Sequence, residues 1–254
     1  MSSHTLTPDA LRSEARPYKA TAWRLVEAQH KVSTMKLVDT LAEQTLLESV
    51  LEASKPPIPA ECRHLHYLLS TPFRYGAACP RGSRFRRAGI TQGVFYAAEE
   101  QTTALAEMAF HRLLFYAESP EIEPPREAAD HTAFSVALAA AAAIDLSASP
   151  FLAEADLWCD PVDYVPCQDL ADAARAADVT IIRYTSVRDP RRGANVAVLS
   201  CTAFAEIQPT GSRSWRMKIG RDSIQAYCAF PTETLEFSVA DFAADPRLAT
   251  ARSG

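Results

Sequence analysis

Several common fingerprints are missing from this chain. No GxGxxG follows a strand-like run, no Walker loop is present and no HExxH occurs. These absences weaken dehydrogenase, kinase and metalloprotease readings, and the scattered histidines do not support a Ser/His/Asp triad. Long apolar runs are lacking too. The most apolar segment, Ala133 to Ile144, spans twelve residues with Ser135 as its polar interruption, against roughly 20 for a membrane helix. No membrane association is therefore expected. Without a secretory segment, the six cysteines (Cys62, Cys79, Cys159, Cys167, Cys201 and Cys228) read as free thiols in a reducing cytoplasm. The crowded ligand types Cys62, His64 and His66 do not share one face of any regular element, so no metal is expected.

What is present is ample core material. At 254 residues and 48% hydrophobic content the chain can bury one substantial core. A net charge of −5 argues against a general nucleic-acid or membrane surface, while leaving room for a local cationic pocket. Residues 1–16 and 243–254 read as tails flanking a single domain over 17–242, which includes an N-terminal extension over 17–71. Trp23 to Val26 suits a strand. Residues 35–53 carry an apolar stripe at helical period, read as core, and end at Pro56-Pro57. The alternating run from 131 to 146 reads as a strand despite its alanines. A helix fits 168–177, and stretches at 214–219 and 234–239 look like edge strands.

The chain turns around residues 72–112. Arg81, Arg84, Arg86 and Arg87 lie beside Gly82 and Gly89 in a polar, broken segment that suits an anion pocket. After Gly93, Val94 to Ala98 reads as a short buried strand with Tyr96 near its end. From Gln101 the spacing of Ala104, Leu105, Met108, Leu113 and Phe115 predicts a helix, with Thr102 or Thr103 available as its cap. Glu107 stands in that helix among apolar neighbours, either on the solvent stripe or held inside for a reason. Further on, Asp178 to Tyr184 and Asn195 to Leu199 form a predicted hairpin around an arginine-rich turn. Ser186 sits at the first strand's exit, where a serine is ordinarily a turn residue. Arg191 and Arg192 in that turn read as solvated charges.

The segments GSRFRRAG, GVFYAAEEQTTALAE and YTSVRDPRRGANVAVL resemble the RES domain of bacterial toxin–antitoxin systems, named for an arginine, a glutamate and a serine. AWRLVEAQH at 22–30, KLVDTLAEQ at 36–44 and LLSTPFRY at 68–75 look like a longer-chain branch of that family, extending the resemblance over most of 18–240. The resemblance implies an α+β, ADP-ribosyltransferase-like fold with a helical N-terminal extension. It also implies NAD as the substrate consumed and an Xre-type antitoxin protein as partner, with no direct nucleic-acid contact. A homo-oligomer is left open.

Loss of nicotinamide from NAD leaves a ribosyl oxocarbenium ion. Such a site needs cations for the pyrophosphate, a flat ring, and a carboxylate near the ribose. The resemblance therefore points to Glu107, Tyr96, Arg84 and Ser186 as catalytic, and to Arg24, Arg84, Tyr96 and Ser186 as NAD-binding. Gly82-Ser83-Arg84-Phe85 departs from the family's GGRW-like opening, which leaves Arg86 as an alternative to Arg84. The activity expected is a glycohydrolase or phosphorylase acting on the nicotinamide–ribose bond. A protein ADP-ribosyltransferase, or a non-catalytic nucleotide- or RNA-binding module, are the other readings.

Overall fold

The computed structural model describes residues 7–27, 37–74, 82–89 and 92–250. Two long strands form its spine. β1 (Arg16–Glu27) runs antiparallel along β3 (Ala129–Asp145), with Arg16 opposite Ala143 and Glu27 opposite His131. β3 is alanine-rich, yet Phe134, Val136, Leu138 and Ala140 alternate into one core cluster, and this burial overrides alanine's helical preference.

On its other edge β3 serves two partners in turn. Its first half pairs antiparallel with β6 (Gly211–Ile219), which continues into β7 (Ser223–Ala229) and β8 (Thr232–Ser238). Its end pairs in parallel with β4 (Ile181–Thr185), Asp145 lying opposite Arg183. β4 forms the expected hairpin with β5 (Ala194–Val198), and β5 pairs with β2 (Phe95–Ala98). β2 then returns to β1 through one registered pair, Trp23 opposite Ala98. The circuit β1-β2-β5-β4-β3 thus closes on itself, while β6 to β8 extend outward. β6 is an interior strand, not the edge strand its alternation suggests.

Helices cover this sheet, giving an α+β fold. The first two are α1 (Pro8–Glu14) and α2 (Leu41–Ala53), followed by α3 (Tyr67–Arg74) and α4 (Gln101–Glu118). Then come a single helical turn at Ala155–Trp158, α5 (Val165–Ala176) and, at the C-terminal end after β4 to β8, α6 (Pro246–Thr250). α4 buries Leu105, Ala109, Phe110 and Leu113 in a cluster with Trp215, Met217 and Ile224.

Both supposed tails contribute to the core. Residues 8–14 are helical, capped by Thr7, and bury Leu11 completely in the cluster of Leu170 and Ala174. Near the other end Leu248 joins the cluster of Phe110 and Phe242. One apolar residue per short helix is enough to dock it and too little to show as periodicity. The α2 stripe departs from expectation in the opposite sense: Leu41, Leu46 and Val50 are exposed, and Gln44 is the buried residue. Thr40 and Glu43 form a capping box that fixes where this helix starts. Neither Thr102 nor Thr103 caps α4, since Glu100 occupies the N-cap position and makes no side-chain cap bond.

Candidate active site

A cleft of about 510 Å³, within the usual size of small-molecule sites, opens between β1, β2 and α4. Its walls bring together Arg24, Arg84, Tyr96 and Glu107. Ser186 stands directly behind Glu107.

Glu107 is half-buried on α4. Its Oε1 accepts hydrogen bonds from Ser186 Oγ at 2.7 Å and Asn195 Nδ2 at 2.6 Å. The serine oxygen itself accepts from the backbone N–H groups of Arg188 (3.2 Å) and Asp189 (2.9 Å), so its own proton is directed to Glu107. Ser186 is fully buried, with its hydroxyl engaged in all three of these hydrogen bonds. The same loop is tied to α4 one turn earlier, where Thr103 Oγ1 donates to Asp189 Oδ2 at 2.7 Å. Gly193 closes against this contact. A Cβ there would lie 2.2 Å from Thr103 Oγ1, so only glycine fits.

Tyr96 lines the cleft with its ring, but its hydroxyl has a structural job. It accepts the Phe85 N–H at 3.0 Å and lies 2.8 Å from Ser83 Oγ, pinning the 82–87 turn. Burial raises its pKa, so the phenol stays neutral. Gly82 permits that turn at φ +64, and a Cβ would sit 2.7 Å from the Arg86 carbonyl.

The arginine loop does not act as one pocket. Arg84 faces the cleft, yet its Nη1 and Nη2 donate to the carbonyls of Trp158 and Asp160, each at 2.8 Å, and its guanidinium lies 4.7 Å from the Tyr164 ring centroid. Arg87 points to α5, where it pairs with Asp169 and Asp172. Arg86 is not among the lining residues, and Arg81 lies outside the described residues. Arg24 comes from β1 and donates Nη1 to the Tyr96 carbonyl at 2.7 Å. Burial lowers its pKa to about 10, which still leaves it cationic at neutral pH.

Sequence reasoning missed Asn195, Arg188, Tyr164, His111 and Arg247, all of which line the cleft. Asn195 is buried at the start of β5, and a polar residue opening a buried strand was the available signal. His111 lies four residues after Glu107 on α4 and could have been placed by helical spacing. Arg188 and Arg247 carried no signal beyond proximity to Ser186 and to the chain end. Among the described residues no cluster of three metal-ligand types occurs, and no helix is long and apolar enough to cross a membrane. Arg191 and Arg192 are exposed at the turn, apart from the cleft.

No curated relative matches the sequence. Among solved structures the chain is similar to a chain of the M. tuberculosis MbcT–MbcA toxin–antitoxin complex, with a TM-score of 0.47 and 12% identity, covering 95% of this chain and 97% of that one. The RES domain model matches residues 58–220, well over half the length and including Arg84, Tyr96, Glu107 and Ser186, so the chain belongs to the RES domain family.

Proposed function

We propose that this chain cleaves the bond between nicotinamide and ribose in NAD, acting as the toxin of a toxin–antitoxin pair with an Xre-type protein as its antitoxin. The observation that carries the reading is the placement of Glu107. Its carboxylate is held by two donors on Oε1, in a cleft whose other charged lining groups include the guanidinium groups of Arg24 and Arg84. Membership of the RES domain family supports a toxin that acts on NAD.

In this mechanism the C–N bond breaks with its electron pair leaving on nicotinamide, which departs neutral. Positive charge develops on the ribose carbon and ring oxygen, where Glu107 stabilises it. A nucleophile then bonds to the ribose carbon; if it is water, one proton is released. Ser186 and Asn195 keep the carboxylate in place, the Tyr96 ring provides a flat wall, and Arg24 holds a phosphate oxygen. Water, phosphate and a protein side chain are the acceptors to be distinguished.

Incubation of the purified chain with NAD, followed by chromatographic detection of nicotinamide, tests the proposal. Release of nicotinamide together with ADP-ribose, its phosphorylated form, or a modified protein identifies the acceptor. Absence of nicotinamide from folded protein at micromolar concentration favours a nucleotide-binding module instead.

A further inference from the structure

The cleft contains a second pair of arginines with an unusual charge arrangement. Arg188, 4% exposed, donates Nη2 to the Pro161 carbonyl at 2.7 Å and to Tyr164 Oη at 3.0 Å, and meets Asp245 at 3.2 Å. Its Nε and Nη1 are buried with no hydrogen-bond acceptor among the described residues. Its guanidinium lies 4.2 Å from the Phe110 ring centroid, which offers a π face but no in-plane acceptor. Arg247 binds the same carboxylate, with Nε at 2.9 Å from Oδ1 and Nη2 at 2.7 Å from Oδ2 of Asp245. Nη2 also reaches the Pro161 carbonyl at 3.2 Å, and the Arg247 side chain further hydrogen-bonds Tyr164.

One buried carboxylate is thus shared by two guanidinium groups, leaving a positive excess at the cleft wall. A buried cation without full pairing is destabilising, as is a buried N–H without an acceptor. An arrangement that carries both, on the wall that also holds Glu107, is suited to a ligand that supplies negative oxygens. Arg84 is less available, because carbonyls already occupy both of its terminal nitrogens.

We infer that Arg188 and Arg247, held together by Asp245, form a phosphate subsite of this cleft that receives the pyrophosphate of the substrate. The assignment rests on the proposed NAD chemistry only for the source of that pyrophosphate. Arg188 lies within residues 58–220 matched by the RES domain model, and Asp245 and Arg247 lie beyond them. The C-terminal segment thereby becomes a determinant of substrate affinity.

Calorimetry with inorganic pyrophosphate tests the subsite without relying on turnover. The wild-type chain is expected to bind, Arg247→Met to bind about tenfold more weakly, and Arg247→Lys to recover part of the loss because it restores charge but not the planar fork. Arg191→Ala, removing an exposed turn cation, serves as the control and should bind as the wild type does. With NAD, Arg247→Met should raise KM about tenfold while kcat changes less than about threefold, since a phosphate contact is made in ground and transition states alike. Should Arg247→Met melt early, Arg247→Gln, which keeps hydrogen-bonding capacity toward Asp245, carries the measurement. Unaltered pyrophosphate binding by a folded Arg247 variant, or no binding by the wild type, overturns the subsite. Pyrophosphate binding that depends on Arg247 in a chain releasing no nicotinamide leaves the subsite standing and refutes the NAD reaction.

Discussion

At Ser186 three hydrogen bonds determine where one proton goes. Two backbone N–H groups fill the oxygen's acceptor directions, and the hydroxyl hydrogen is left for Glu107. Glu107 and Ser186 consequently predict different mutant behaviour. Glu107→Gln keeps an oxygen to accept from Ser186 and Asn195 but removes the charge that opposes the developing oxocarbenium. Turnover should fall about 10²- to 10³-fold with the melting temperature nearly unchanged. A variant that unfolds, or retains more than half its activity, would place Glu107 outside the chemistry. Ser186→Ala should lower both turnover and stability. It leaves two buried N–H groups without an acceptor, at about 1–3 kcal/mol each. Thermal melts of the two variants side by side distinguish the charge from its support; equal melting temperatures would deny Ser186 its structural role.

The β4–β5 hairpin was legible from its short apolar, β-branched runs flanking a polar turn, and α4 from the helical spacing of its apolar residues, which placed Glu107 one to two turns into a helix. α1 and α6 escaped because each shows one buried apolar side chain among the described residues, and β7 because it follows β6 after a short turn. Nor does sequence show which ends of strands meet. Arg183 on β4 grips both Glu99 oxygens at 2.7 and 2.9 Å, reaches Asp145 Oδ2 at 3.1 Å, and Tyr18 of β1 donates to the same Glu99 at 2.8 Å. This cluster ties β1, β2, β3 and β4 together. Its arginine holds the Glu99 carboxyl below the usual glutamate range. A carboxyl with a depressed pKa in the folded state stabilises the fold above the ordinary glutamate value and loses that contribution as pH falls through the folded value. Arg183→Met removes the cation and leaves two carboxylates facing each other. The expected loss at neutral pH is about 1–3 kcal/mol, tempered by partial solvent exposure, and it should shrink on acidification below about pH 4. Urea denaturation at both pH values measures it. A loss that does not vary with pH would mean the arginine acts through packing alone.

The whole molecule carries a net charge of −5, yet among the described residues four guanidinium groups line its cleft, two from outside the matched RES region. Composition reports the former and conceals the latter, because the four arginines come from β1, a turn, the loop after β4, and α6. Convergence of this kind follows from the closed strand circuit and from docking of the C-terminal helix, neither of which local pattern can disclose. The cellular consequence of the proposed chemistry follows from turnover, since an enzyme that consumes NAD acts on a pool shared by the whole cell. Expression of the wild-type chain in a bacterial host is expected to lower cellular NAD before growth stops. Glu107→Gln, produced at the same soluble level, should leave both NAD and growth intact because it loses the transition-state charge while keeping the folded surface. Co-expression of an Xre-type partner should restore NAD and growth together if that partner blocks or distorts the cleft. The order of events is decisive: NAD measured by enzymatic cycling must fall while the optical density is still rising. Arrest with an undiminished NAD pool, or equal arrest by Glu107→Gln, would assign the toxicity to binding and not to cleavage.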